Sequence, residues 1–272
     1  MKLFHKKFGE GKPLIILHGL FGMSDNWTTL AKQFAENGFV CYLVDQRNHG
    51  RSGHSDEFNY TVMSDDLLEL MLYENLLSAD LIGHSMGGKT AMFFAVDHPQ
   101  RTGKLVVVDI SPRYYSPLHD GVIAALKSIA LDTITSRKEA DEQLSLSLHD
   151  EATVQFLLKN LYWREGTGAE GQGTTGSETG EAEKKLAWRF NLQSIEENID
   201  AVGAALPDAV HFDKPTLFIR GEKSGYVTSE DEPLIKKHFP KALIKTIPNA
   251  GHWVHAENPQ GFMEATLDFL HD

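Results

Sequence analysis

The sequence predicts an α/β protein built on a mostly parallel sheet flanked by helices. Short apolar runs of strand length alternate with amphipathic stretches of helix length. The apolar runs are nearly continuous rather than alternating, which indicates strands buried on both faces. A third observation sets one region apart: between about 112 and 206 the chain is helix-like, with no convincing buried strand. That interruption reads as an all-helical cap inserted between two strands. The expected division is therefore a core of residues 1–111 and 207–272 and a helical cap of residues 112–206.

The strand candidates are PLIILHG (13–19), FVCYLVDQ (39–46), ADLIGHS (79–85), KLVVVDIS (104–111), PTLFIRGE (215–222) and ALIKTIPNAG (242–251). Helices are expected around 25–37, 61–77, 86–98, 229–239 and 258–271. In the first of these, Ser24 or Asp25 can cap the start and Gly38 can end it. Inside the cap, residues 164–185 are rich in Gly, Thr, Ser and Glu, with almost nothing apolar to pack. They read as a flexible surface loop, with a lid or docking segment as the alternative.

Composition bounds the function. With 41% hydrophobic and 24% charged residues, the 272-residue chain has enough apolar material for one large core. A formal net charge of −12 disfavours nucleic acid or an anionic membrane as the main partner, since both require a basic face. The early apolar run PLIIL is too short for a signal-peptide core or a membrane span. The single cysteine, Cys41, lies within an apolar strand and reads as a buried small hydrophobe in a reducing compartment, so a cytoplasmic protein is expected.

Gly83-His84-Ser85-Met86-Gly87 follows one predicted strand and opens a helix. In that setting Gly-x-Ser-x-Gly is a nucleophile elbow: glycines flank a serine on a turn so sharp that Cβ atoms at their positions would collide. The hydroxyl is then exposed above the sheet, and free helix N–H groups face it. A serine needs a base, and in this arrangement the chain order is Ser, Asp or Glu, then His. Only His252 and His255 stand between the last predicted strand and the final helix. His252, directly after Gly251, is the expected base, and His255 its polar neighbour.

The acid is less direct. No Asp stands at the usual spacing after PTLFIRG; Glu222 is close to the strand end, and Asp231 falls in the next helix. Asp109 ends the preceding strand, VVVD, where an unpaired buried carboxylate would be costly and a histidine N–H would satisfy it. Asp109 is the expected acid, with Glu222 and a purely structural Asp109 as alternatives. Oxyanion donors are expected from the backbone N–H of Met86 and, in HGLFG, of Leu20, with Phe21 as the alternative. Asp45, Arg47 and His49 read as organisers of a nearby loop, and Lys89 as structural. Phe21, Tyr114, Trp163, Trp188 and Trp253 are candidates for contacts with an acyl group, and Phe190 is a further cap aromatic.

Together HGLFG, DQRNHGRS, GHSMGGK, VVVDISP, WRFN and NAGHWVHAE resemble the YbfF-type esterases, a branch of the α/β-hydrolase superfamily. The resemblance runs from about Leu14 to Leu270. It implies an α/β-hydrolase fold, a triad acid at the end of the strand before the cap, and hydrolysis of carboxylic esters with short acyl chains or of thioesters. It implies no metal and no organic cofactor. Residues 164–185 depart from the family pattern by their length. The expected activity is a serine carboxylesterase with an acyl-enzyme intermediate on a small-molecule acyl ester. The alternatives are perhydrolase or carbon–carbon hydrolase chemistry on the same residues, or a hydrolase-fold small-molecule sensor that signals through a protein partner.

Overall fold

Nine strands and eleven helices occur among the described residues of the computed structural model, which covers residues 1–116, 119–165 and 184–272. The strands are β1 (His5–Phe8), β2 (Lys12–Leu17), β3 (Phe39–Val44), β4 (Ala79–His84), β5 (Thr102–Val108), β6 (Leu161–Glu165), β7 (Lys184–Trp188), β8 (Thr216–Gly221) and β9 (Ala242–Ile247). The helices are α1 (Thr28–Glu36), α2 (Tyr60–Tyr73), α3 (Met86–Asp97), α4 (Asp120–Ser128), α5 (Arg137–Ser147), α6 (Glu151–Leu158), α7 (Leu192–Glu197), α8 (Ile199–Val202), α9 (Glu232–His238), α10 (Val254–Glu257) and α11 (Pro259–His271). Seven strands form one sheet in the order β1-β3-β2-β4-β5-β8-β9. All pair in parallel except β1, which runs antiparallel to β3 at the edge.

The apolar runs are explained by burial on both faces. Ile15 and Leu17 of β2 pack with Leu81, Val107 and Phe218 on one face. Leu14 and Ile16 pack with Ile82, Val106, Val108 and Leu217 on the other. Cys41 lies in the second layer, and burial pushes its thiol up to about 12. The expected strands and core helices are present, with two local differences. The four-residue β1, HKKF, is too short and polar to stand out in the sequence. The first helical region opens with a 3₁₀ turn at Ser24–Trp27, where the Asn26 side chain, rather than Ser24 or Asp25, accepts from a turn amide, Met23 N–H at 2.8 Å. The Ser24 N–H donates instead to Asp45.

The chain divides into two compact units, Met1–Pro117 with Gln193–Asp272, and Leu118–Leu192. The boundaries expected at 112 and 206 therefore fall inside the first unit. The departing and returning segments pair with each other there: Leu206 N–H donates to Pro112 O at 2.9 Å and Tyr115 N–H to Gly203 O at 2.9 Å. Lys89, buried in α3, holds both segments by donating to Arg113 O at 2.5 Å and Ala204 O at 2.8 Å. Burial pushes this ammonium down to about 7.

The second unit is not all-helical. Besides its helices it carries the antiparallel hairpin β6–β7, with Leu161 opposite Trp188 and Trp163 opposite Leu186. Two five-residue strands separated by the Gly-rich stretch gave no strand signal, and Arg164, Glu165, Lys184 and Lys185, expected in the loop, are strand residues. The rest of that expected loop, 166–183, lies outside the described residues. Among the described residues no helix is long and apolar enough to cross a membrane.

One buried histidine couples the fold to pH. The His255 ring stacks on Trp27 at 4.0 Å and 10°, its Nδ1 has no partner, and burial pushes it down to about 3. The unfolded chain takes up the proton near pH 6.5 and the folded chain only near pH 3, so between these values the unfolded state binds more protons. Stability from His255 is thus complete above pH 6.5 and is lost as pH falls toward 3. His255→Phe keeps the stack and removes the proton. Urea denaturation between pH 4 and 6.5 should show a stability slope shallower by up to about one proton equivalent in this variant.

Candidate active site

The sheet reverses its winding at β2, with β3 on one side and β4 on the other. Open α/β sheets bind ligands beyond the carboxyl ends of the strands at such a point. The loops leaving β2 and β4 meet there. Ser85 follows β4 with φ 53° and ψ −117°, a strained conformation for a non-glycine residue. Its turn leaves no room for neighbouring Cβ atoms. One on Gly83 would lie 2.2 Å from Gly87 O, and one on Gly87 would lie 2.4 Å from Leu17 O. Met86 begins α3 and has no carbonyl one turn back for its N–H.

Strand register aligns the serine with a buried acid. Ser85 N–H donates to Val108 O at 3.0 Å, and Asp109 N–H donates to Ile219 O at 2.7 Å, so both residues continue the parallel ladder. Asp109 is fully buried and has φ 51°. Its carboxylate accepts from Gly221 N–H at 3.0 Å, from the Ser224 hydroxyl, and from His252 Nδ1 at 2.8 Å. A carboxylate that only accepts requires His252 to carry its proton on Nδ1. Nε2 is then left to accept from Ser85 Oγ, 3.1 Å away. Such an array can draw the serine proton onto the imidazole while the carboxylate orients and stabilises the ring.

Glu222, the alternative acid, is turned away: its carboxylate accepts from Asn249 N–H at 2.8 Å. Asp231 accepts instead from Ser111 Oγ at 3.0 Å and Arg113 Nε at 2.9 Å.

The loop after β2 is held by two neutral histidines. His49 accepts the Phe21 N–H on Nε2 at 3.1 Å and donates from Nδ1 to Arg47 O at 2.9 Å. His18 accepts the Gln46 N–H on Nε2 at 3.0 Å and donates from Nδ1 to Gly19 O at 2.8 Å. Burial pushes His49 down to about 3 and lowers His18 as well. The Phe21 N–H is therefore engaged by His49, and that loop network does not use the Leu20 N–H. Gly19 lies against the serine, since a Cβ there would come within 3.3 Å of Ser85 Cβ. Asp45 and Arg47 frame this region: Asp45 accepts from Ser24 and Arg51 N–H groups, and Arg47 Nε pairs with Asp66 at 2.6 Å.

The aromatic candidates are divided between the two units. Phe21 is buried, Tyr114 is exposed, and Trp253 is half-buried beside His252 in the chain. Trp163 and Trp188 belong to the second unit; Trp163 is exposed, and Trp188 stacks on Phe190 within that unit.

Several supports have no sequence signature. The Glu257 carboxylate accepts from Gly251 N–H at 2.8 Å and Trp253 N–H at 3.2 Å, gripping the chain on both sides of His252. His84 Nε2 donates to His252 O at 2.8 Å. Among the described residues no group of three or more His, Cys, Asp or Glu side chains could hold a metal ion.

Comparisons with known proteins agree with this architecture. The α/β-hydrolase fold family matches residues 12–259. The sn-1-specific diacylglycerol lipase ABHD11 of Mus musculus is 39% identical over 94% of this chain and 80% of its own length. Esterase YbfF of Escherichia coli K12 is 32% identical over 97% of this chain and 94% of its own. A solved structure, described as a marine microorganism esterase, superposes with a TM-score of 0.89 at 43% identity, covering 98% of this chain and 99% of that one.

The chain belongs to the α/β-hydrolase family and is a YbfF-type member of it. It is a serine hydrolase of the carboxylic ester hydrolase class.

The elbow makes a steric prediction. In Gly87→Ala the new methyl meets a strand carbonyl that cannot rotate away. Stability in urea should drop by about 1–3 kcal/mol, with turnover falling as well. Gly121→Ala, where a Cβ meets nothing within 4 Å, should show neither loss.

Proposed function

We propose that this chain is a serine carboxylesterase for small to medium acyl esters, thioesters included, acting through Ser85, His252 and Asp109. The observation that carries the reading is the unbroken hydrogen-bonded line from Ser85 Oγ through His252 to a fully buried Asp109, built on a strained elbow. His252 takes the serine proton as Oγ attacks the ester carbonyl. The amides of Leu20 and Met86 hold the oxyanion. The proton then passes to the leaving alkoxide, and an acyl-enzyme remains. Water, deprotonated by the same imidazole, completes hydrolysis.

The formal net charge of −12 fits a small-molecule substrate rather than nucleic acid, and the lone buried cysteine fits a cytoplasmic setting. Of the aromatic candidates, Trp253 is the best placed in the chain for an acyl contact, immediately after His252. The mouse relative's name adds glyceride esters to the substrates worth assaying.

The test is hydrolysis of p-nitrophenyl esters from acetate to laurate and of a diacylglycerol by wild type and variants. Ser85→Ala should lower turnover by on the order of 10⁴–10⁶, and Asp109→Asn by about 10⁴. Glu222→Gln should stay near wild type. Retained activity in Asp109→Asn with loss in Glu222→Gln would reassign the acid, and ester turnover that survives Ser85→Ala would sink the reading.

A further inference from the structure

The loop between β8 and α9, which carries no acid for His252, brings an aromatic face to it instead. The Tyr226 ring lies on the His252 ring with centroids 3.9 Å apart and planes within 21°. Tyr226 is itself backed by Tyr115, stacked at 5.6 Å and 24°, and Tyr115 by the Arg113 guanidinium, 3.8 Å from its ring centroid.

The column is pinned at each level. Arg113 Nε pairs with Asp231 at 2.9 Å. Tyr115 OH donates to Tyr226 O at 2.5 Å and accepts from Ser111 N–H at 2.9 Å. Tyr226 N–H donates to Ser224 Oγ at 3.2 Å, and that hydroxyl donates to Asp109. One short loop thus supports the acid through Ser224 and the base through Tyr226.

We propose that Tyr226 is a positioning residue for His252, whose ring face holds the imidazole in line with Ser85 and stabilises the imidazolium formed as the serine attacks. The inference rests on the reading of Ser85, His252 and Asp109 as the reacting set. Its physical basis is the negative face of an aromatic ring, which attracts a cation stacked on it and attracts the neutral ring less. That difference between states is what accelerates a step, whereas equal attraction in both would not.

The other groups facing His252 do not duplicate this role. Asp109 meets it at Nδ1 and Ser85 at Nε2, while His84 bonds its backbone carbonyl and sets its own ring 4.8 Å away but tilted by 46°, not stacked. His84 and His255 are both held neutral by burial, and protonating either would oppose charge on His252.

The experiment is a series at position 226 in the full chain: Tyr226→Phe, then 4-fluoro-, 3,5-difluoro- and 3,4,5-trifluorophenylalanine, then Tyr226→Leu. Each is assayed for kcat and KM on p-nitrophenyl butyrate. Tyr226→Phe should stay near wild type, because the face and not the hydroxyl meets His252. Fluorination withdraws charge from the face at nearly constant shape, so log kcat should fall stepwise. It should reach a loss of about 5- to 30-fold with KM unchanged. Tyr226→Leu should lose at least as much, and the fluorinated series carries the test if that variant fails to fold.

A kcat that does not respond to fluorination, or a loss in Tyr226→Phe equal to that in the trifluoro variant, would overturn the inference. A change confined to KM would do the same. Labelling of wild-type Ser85 by a fluorophosphonate, located by mass spectrometry, separates the two levels. Labelled Ser85 with a flat series removes Tyr226 alone; no labelling at Ser85 removes the reading of the site and this inference with it.

Discussion

The close approach of three backbone segments at residues 17–19, 83–87 and 108–109 is the constraint on which the rest of the site depends. Gly83 and Gly87 let β4 and α3 fold onto each other and onto the end of β2. The free energy for holding Ser85 at φ 53° comes from the surrounding core, with β2, β4 and β5 buried on both faces. A strained residue of this kind costs about 1–3 kcal/mol and persists only where its surroundings leave it no alternative. The apolar runs that look unspecific in the sequence are therefore what makes the one unusual backbone conformation affordable.

Around that turn, charge is handled by fixing proton positions. Asp109 is fully buried and takes donors from a backbone amide, a hydroxyl and an imidazole. His18 and His49 do the opposite work: each presents a lone pair to a backbone N–H and is kept neutral by burial. The chain thus uses histidine as an acceptor of backbone N–H groups in the loop after β2 and as a donor to a buried carboxylate beside Ser85. The difference lies in their surroundings, an acceptor carboxylate for His252 and donor amides for the other two.

What could be read from the sequence was local. Ser85 sits in a five-residue pattern, His252 in a short window after the last strand, and Asp109 at the end of an apolar run where an unpaired charge would be unfavourable. Each is defined by neighbours in the chain. Ser224, Tyr226, Tyr115 and Glu257 have no such pattern, because what they do depends on stacking and hydrogen bonds across elements distant in sequence. Tyr114 and Tyr115 make the point at adjacent positions: the first is exposed, and the second stacks on Tyr226. The hairpin β6–β7 was illegible for a different reason, since five-residue strands joined through a long polar stretch carry too little periodicity.

The shared ladder of Ser85 and Asp109 also says how the site can fluctuate. Because Ser85 N–H bonds Val108 O and Asp109 N–H bonds Ile219 O, neither residue can shift along the strand direction without carrying the ends of β4, β5 and β8 with it. Their displacements are therefore correlated, and the distance between them is the stiff coordinate. His252 stands on a loop outside that ladder and is placed by side chains instead: Glu257, His84, Asp109 and the Tyr226 ring. Substitutions in the 248–258 segment therefore act first on the imidazole, and reach Ser85 and Asp109 through its two hydrogen bonds and through Gly221, against which Gly251 packs.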